Sequence, residues 1–246
     1  MVIVISALLL TTPAYTAKAD SSILAGPTTY LYGNVIFNHK DLEIRAERGV
    51  ITKDKVIARD SVIILEDDLI IFGNYGEYFW NKEVKLYNGF TACKGKESVT
   101  GDEGRYFEDK VWVYKAMKYT NEEEKISISG DEGFYDFNIN YGMVTKAPKF
   151  EAPEDSIEIV GDTIRFWGDT LAIADHNAVL RLKDTQCFAE QMIYFPKKDE
   201  AALYGNPWII ANTDSLGGQE IEIALQDRKI KHIQVRGEVW GTRWKF

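Results

Sequence analysis

The feature that most constrains this chain is a six-residue phrase, clearest at Gly130-Asp131-Glu132-Gly133-Phe134-Tyr135, that is written seven times in decaying copies. The copies start at Ala46, Gly73, Gly101, Gly130, Gly161, Ala189 and Gly218, with spacings of 27, 28, 29, 31, 28 and 29 residues. Position two is acidic or an amide throughout: Glu47, Asn74, Asp102, Asp131, Asp162, Glu190 and Gln219. Position four is glycine in the first four copies (Gly49, Gly76, Gly104, Gly133) and apolar in the last three (Ile164, Met192, Ile221). Position six is large and apolar or aromatic: Ile51, Tyr78, Tyr106, Tyr135, Phe166, Tyr194 and Ile223. One period that keeps the chemistry of three columns predicts a repeat architecture, in which each unit buries its apolar face against its neighbours.

The period within each unit identifies the element. Ahead of the phrase, apolar residues recur at every second position: Leu42 and Ile44, Leu69 and Ile71, Ile126 and Ile128, Ile157 and Ile159. That is strand alternation with one apolar face, and these eight residues are the candidate lining of a groove or core. The position-six residue falls on the opposite parity, which predicts a bulge or kink at the position-four glycine, or a new strand starting there. About 28 residues hold two strands and two turns. The expected fold is therefore all-β and antiparallel, built from about seven two-stranded repeats, with a three-strand parallel β-helix as its rival. A propeller blade needs four strands in about 40 to 45 residues and is excluded by the shorter period. The polar runs Asn121–Lys125 and Pro196–Glu200 read as hairpin tips, and no helix or linker divides residues 20–246, so one domain is expected.

The first nineteen residues are of a different material. Val2–Leu10 is apolar apart from Ser6, shorter than the roughly 20 residues of a membrane span, and Ala17-Lys18-Ala19 fits the small-x-small rule of signal peptidase. Residues 1–19 are expected to be a secretory signal, although no Lys or Arg precedes the apolar run. A buried strand or an uncleaved anchor is the alternative. The net charge of −9 argues against a nucleic-acid binder and against an adhesive for anionic membranes. Cys93 and Cys187 lie more than three repeats apart, so no disulfide is expected between them, and His39, His176 and His232 are scattered.

Two acidic arrangements invite chemistry and fail to support it. Asp102-Glu103 and Asp131-Glu132 could begin a calcium ladder, but the column also holds Asn74 and Gln219, which suits a solvated turn. As glycosidase carboxylates they are adjacent in sequence, so in a strand they point to opposite faces. No nucleophile elbow, phosphate loop or His/Cys cluster is present in the sequence. The expectation is a protein without catalysis, metal or cofactor. From Arg228 to Phe246 the balance reverses, with six basic residues and one acid, Glu238. Such a tail suits lipid phosphates, an acidic partner, or an edge strand guarded against stray pairing.

Three further phrases carry a resemblance: Leu31-Tyr32-Gly33-Asn34-Val35, Ala46-Glu47-Arg48-Gly49 and Leu203-Tyr204-Gly205-Asn206-Pro207. With the Gly-Asp-Glu-Gly units, they resemble the OstA-like family of lipopolysaccharide-transport proteins, which includes LptA, LptC and the N-terminal domain of LptD. The resemblance covers about Tyr30 to Val239. It implies an open antiparallel β-jellyroll whose apolar interior holds lipid A acyl chains. It also implies a periplasmic location, and end-to-end partners of the same jellyroll type. The eight alternating residues would then line the lipid groove. The competing expectation is a β-scaffold that assembles through its edges and holds no lipid.

Overall fold

The computed structural model describes residues 15–152, 157–226 and 229–242. Strands dominate; among the described residues the helical content is a single 3-10 turn at Pro196–Lys198, at one of the expected hairpin tips. Successive strands pair antiparallel, as the repeat predicts, which removes the parallel β-helix. Contacts divide the chain into two compact units, Met1–Ala116 and Met117–Phe246. The apolar run Val2–Leu10 lies outside the described residues, whereas Tyr15–Lys18 forms a strand against Ile36–His39.

In the first unit the strands Thr28–His39, Leu42–Ile51, Lys55–Glu66, Leu69–Phe79 and Val84–Lys94 run up and down, each paired with the next along most of its length. Each is interrupted once, near its middle, by a bulge. The pairing Arg59↔Tyr75 resumes at Val62↔Gly73, so Asp60 and Ser61 stand opposite the single residue Asn74. Asn74 in turn faces Asn88 and Gly89 on its other side. Both members of each pair have positive φ (Asp60 63°, Ser61 52°, Asn88 62°, Gly89 86°). A two-against-one bulge bends and twists a strand, and Asp, Asn and Gly tolerate the left-handed region best.

This arrangement repeats down the chain and explains the position-two column. His176 and Asn177 oppose Glu190, and Asp131, Asp162 and Gln219 donate their backbone N–H to Lys146, His176 and Arg236 at 3.0 Å each. The kink therefore falls at position two, two residues before the glycine where it was expected. Position two needs an exposed polar residue because it stands alone at the outside of the bend. Position four has another task. It faces inward, and a Cβ on Gly104 would meet the Phe90 ring at 2.6 Å, while one on Gly133 would meet the Met117 sulfur at 2.4 Å.

Past the bend the sheet doubles back over itself, so each unit has two layers with their apolar faces together. In the first unit one layer carries the register row Phe37, Ile44, Ile64, Ile71, Ala92, Val99. The other carries Ile51, Val56, Tyr78, Val84, Tyr106, Val111. All twelve are buried. The second unit repeats the design with Tyr119, Ile128, Phe150, Ile159, Leu180, Cys187 and Ile209 in one layer. Its other layer reads Tyr135, Gly142, Phe166, Ala172, Tyr194, Ala201, Ile223. Large and small side chains alternate there strand by strand, which lets each ring lie over its small neighbour at interior density. The position-six column is thus interior packing: Tyr135 stacks on Phe166 at 5.6 Å and 9°, and Tyr119 reaches both rings from the facing layer at 4.8 and 4.7 Å.

Candidate functional site

All eight alternating residues point into these interiors. Leu42, Ile44, Leu69 and Ile71 share one layer of the first unit, and Ile126, Ile128, Ile157 and Ile159 share one layer of the second. None is more than 3% exposed. Ile44 and Ile71 flank Ile64, and Ile128 and Ile159 flank Phe150, whose ring meets Tyr194 of the other layer at 5.6 Å. The interior of each unit is therefore apolar and continuous across its strands, with these eight residues packed away from solvent.

The margin of the first unit, at the end of the layers away from the bends, is polar. Lys82, on the turn Trp80–Glu83 of one layer, reaches Asp41 at 3.2 Å and Glu66 at 3.1 Å on the other. The Tyr106 hydroxyl donates to Glu66 at 2.5 Å, and Lys94 bridges Asp68 at 3.1 Å and Asp109 at 3.5 Å. The hydrogen bond to Glu66 raises the Lys82 pKa further, so its charge is present at any physiological pH. Sequence reasoning missed this clasp, since its partners come from separate repeats and share no local signal.

His39 completes the margin. Its imidazole is 1% exposed, pairs through Nδ1 with the Tyr78 hydroxyl, and packs edge-on against Trp80. Its Nε2 is buried without a hydrogen-bond partner among the described residues. Burial, then the neighbouring charges of Lys40 and Lys82, hold its pKa below the ordinary 6.5, and burial pushes the Tyr78 hydroxyl up to about 12. The folded protein thus binds fewer protons than the unfolded chain at mildly acidic pH. The stability His39 contributes is present in full above about pH 6.5 and is lost as pH falls below it, by at most about 1.4 kcal/mol per pH unit. Urea midpoints measured from pH 7.5 to 5 should fall in wild type more steeply than in His39→Leu.

The acidic column does not gather. All seven position-two residues are exposed, one to each bend, and among the described residues no three His, Cys, Asp or Glu side chains come together. Asn177 caps Asp162 at 3.1 Å, Lys115 pairs with Asp102 at 3.3 Å, and His176 pairs with Glu190. Cys93 and Cys187 are not joined by a disulfide, and burial pushes Cys187 up to about 12, so it stays protonated inside the second unit. Of the basic tail, Arg236 pairs with Glu222 at 3.2 Å across neighbouring strands, while Arg228, Arg243 and Lys245 lie outside the described residues. The three family-like phrases all fall on bends. Leu31 pairs with Gly49, Tyr32 with Arg48 and Val35 with Ala46, so the first two phrases form one corner together; Gly205 and Asn206 form another, with φ of 80° and 56°.

No family model matches the chain, and no curated protein matches it. Among solved structures it is similar to the crystal structure of LptH from Pseudomonas aeruginosa, described as the LptA homologous periplasmic component of the conserved lipopolysaccharide transport device. The identity is 13% and the TM-score 0.44, over 50% of this chain and 97% of that one.

Proposed function

We propose that this chain is a periplasmic lipid-binding protein of lipopolysaccharide transport to the outer membrane, one that carries its cargo without chemistry. The observation that supports the reading best is the pair of facing apolar layers in each unit, built on the corners that carry the OstA-like phrases. Such an interior stabilises acyl chains by about 0.8 kcal/mol for each CH₂ taken from water. With the candidate residues buried, the chains enter where the layers part. In the first unit that place is the polar margin formed by Lys82, Glu66, Tyr106 and His39. Hydrogen bonds and half-exposed ion pairs are a suitable closure there, since water can replace them at small cost when the layers separate. Removal of residues 1–19 would take the Tyr15–Lys18 strand with it and bare the edge of Ile36–His39. A terminal strand of a neighbouring jellyroll can add to that edge by backbone hydrogen bonding.

A second reading has its own observation. The eight candidate residues are already packed against protein, as in a scaffold that holds no lipid. Native mass spectrometry of protein purified without detergent from a Gram-negative host separates the two. Retention of a mass matching lipopolysaccharide or lipid A is expected. A clean apo mass that added lipid does not change would overturn the carrier and leave the scaffold.

A further inference from the structure

The outward face of the first unit carries groups that lipid carriage does not use. Tyr75 and Tyr87 meet edge to face across neighbouring strands at 5.6 Å, and the Arg59 guanidinium lies 5.3 Å from the Tyr75 ring. The same row runs on through Arg48 to Tyr32, which is 40% exposed. Beyond Tyr87 the face opens into a cavity of about 360 Å³, whose lining includes Glu83, Lys85, Glu103, Arg105 and Tyr114. Arg105 rests on the Trp112 ring at 4.2 Å, and its Nε is buried with no hydrogen-bond partner among the described residues.

These four charges are unusual for this surface. Neighbouring charged side chains pair, as Lys55 does with Glu77 at 2.7 Å and Lys94 with Asp68 at 3.1 Å. Glu83, Lys85, Glu103 and Arg105 surround one cavity, yet none forms an ion pair among the described residues. Cross-strand packing accounts for the tyrosine pair. Lys85 faces Glu77 in register and lies 5.1 Å from the Phe79 ring, but packing does not account for the carboxylates of Glu83 and Glu103, which form no ion pair among the described residues, or for the buried Arg105 Nε beside them.

We infer that this face binds an uncharged oligosaccharide. Two carboxylates and two cations sum to no net charge, so an ionic ligand would lose to one pair what it gains from the other. Hydroxyl groups suit both, donating to Glu83 and Glu103 and accepting from Lys85 and Arg105. The C–H faces of sugar rings lie on the tyrosine rings, and Tyr87 and Tyr114 flank the cavity. Its volume falls within the roughly 300 to 1,000 Å³ of ligand sites. Strands about 4.8 Å apart carry the aromatic row onward from it, which suits a chain of sugars rather than one. The second unit provides a contrast. Phe134, Tyr141 and Trp167 form an outward row there, but the flanking charges are paired, Glu132 with Lys146 and Arg165 with Asp175.

Saturation-transfer difference NMR on the full chain tests this, with neutral hexasaccharides of glucose, mannose and N-acetylglucosamine as probes and hexagalacturonate as the anionic comparison. At least one neutral probe should bind, weaken about tenfold or more in Tyr87→Ala/Tyr114→Ala, and bind Tyr141→Ala unchanged. Circular dichroism reports the fold of each variant, and Tyr114→Ala alone, at a 52% exposed position, serves if the double variant unfolds. No transfer from any neutral probe, preference for hexagalacturonate, or equal loss in Tyr141→Ala would overturn the inference. Lipid retention in native mass spectrometry is read independently of any of these results.

Discussion

Ile128→Asp is expected to unfold the second unit at neutral pH. Ile128 is fully buried, in register between Tyr119 and Phe150, and no cation or free donor faces it in that row. An ionised carboxylate there loses its hydration with nothing in return, and a protonated one still lacks partners for its oxygens. The cost should be at the upper end for point substitutions, above about 4 kcal/mol, against a total stability of roughly 5–15 kcal/mol for a typical domain. Ile128→Val at the same place should cost only about 0.5–1.5 kcal/mol. Urea denaturation followed by circular dichroism distinguishes them, and a folded Ile128→Asp with wild-type midpoint would show that the interior is wet. A lipid-binding test by charge insertion is therefore confounded here, and size-conserving changes are the usable ones.

Phe166→Ala should cost about 3–5 kcal/mol, because a large ring leaves a cavity that its neighbours cannot close. The ring stacks on Tyr135 and meets Tyr119 of the facing layer, so contacts within its own layer and across to the other are lost at once. It also fills the space that Gly142 leaves open: a Cβ at Gly142 would lie 2.2 Å from the Phe166 ring and 2.9 Å from Tyr135. The two positions should accordingly couple. Gly142→Ala is expected to destabilise wild type by about 1–3 kcal/mol through overpacking, and to cost far less in the Phe166→Ala background. A double-mutant cycle that sums additively would mean the rings can move apart without strain.

The sequence was legible where a column had one chemical requirement. Period-two alternation placed Leu42, Ile44, Leu69, Ile71, Ile126, Ile128, Ile157 and Ile159 on the inward faces, and the acidic column marked the bends. The bend was expected at the position-four glycine, as a kink or as the start of a new strand; it falls at position two, with new strands starting at Glu103, Glu132 and Thr163 one residue before position four. Here the glycine gives room to a neighbouring side chain instead, the Phe90 ring at Gly104 and the Met117 sulfur at Gly133. The other half of each bend left no sequence column, since the left-handed pairs are as varied as Asp60-Ser61, Asn88-Gly89, Lys146-Ala147 and His176-Asn177. A left-handed residue costs only about 1–2 kcal/mol, so many side chains are tolerated once the repeat fixes the backbone. The polar margin was invisible for another reason. Glu66 and Tyr106 are forty residues apart, and His39 and Tyr78 thirty-nine, so only the doubling back of the sheet brings them together.

The account rests on lipid lying between the facing layers, and site-specific photo-crosslinking reads that contact directly. With p-azidophenylalanine at Phe150, which points inward, ultraviolet irradiation in a Gram-negative host should yield an adduct carrying lipopolysaccharide. The same residue at Tyr141, on the outward face, should yield none. An empty Phe150 position, or equal labelling at Tyr141, would contradict the account.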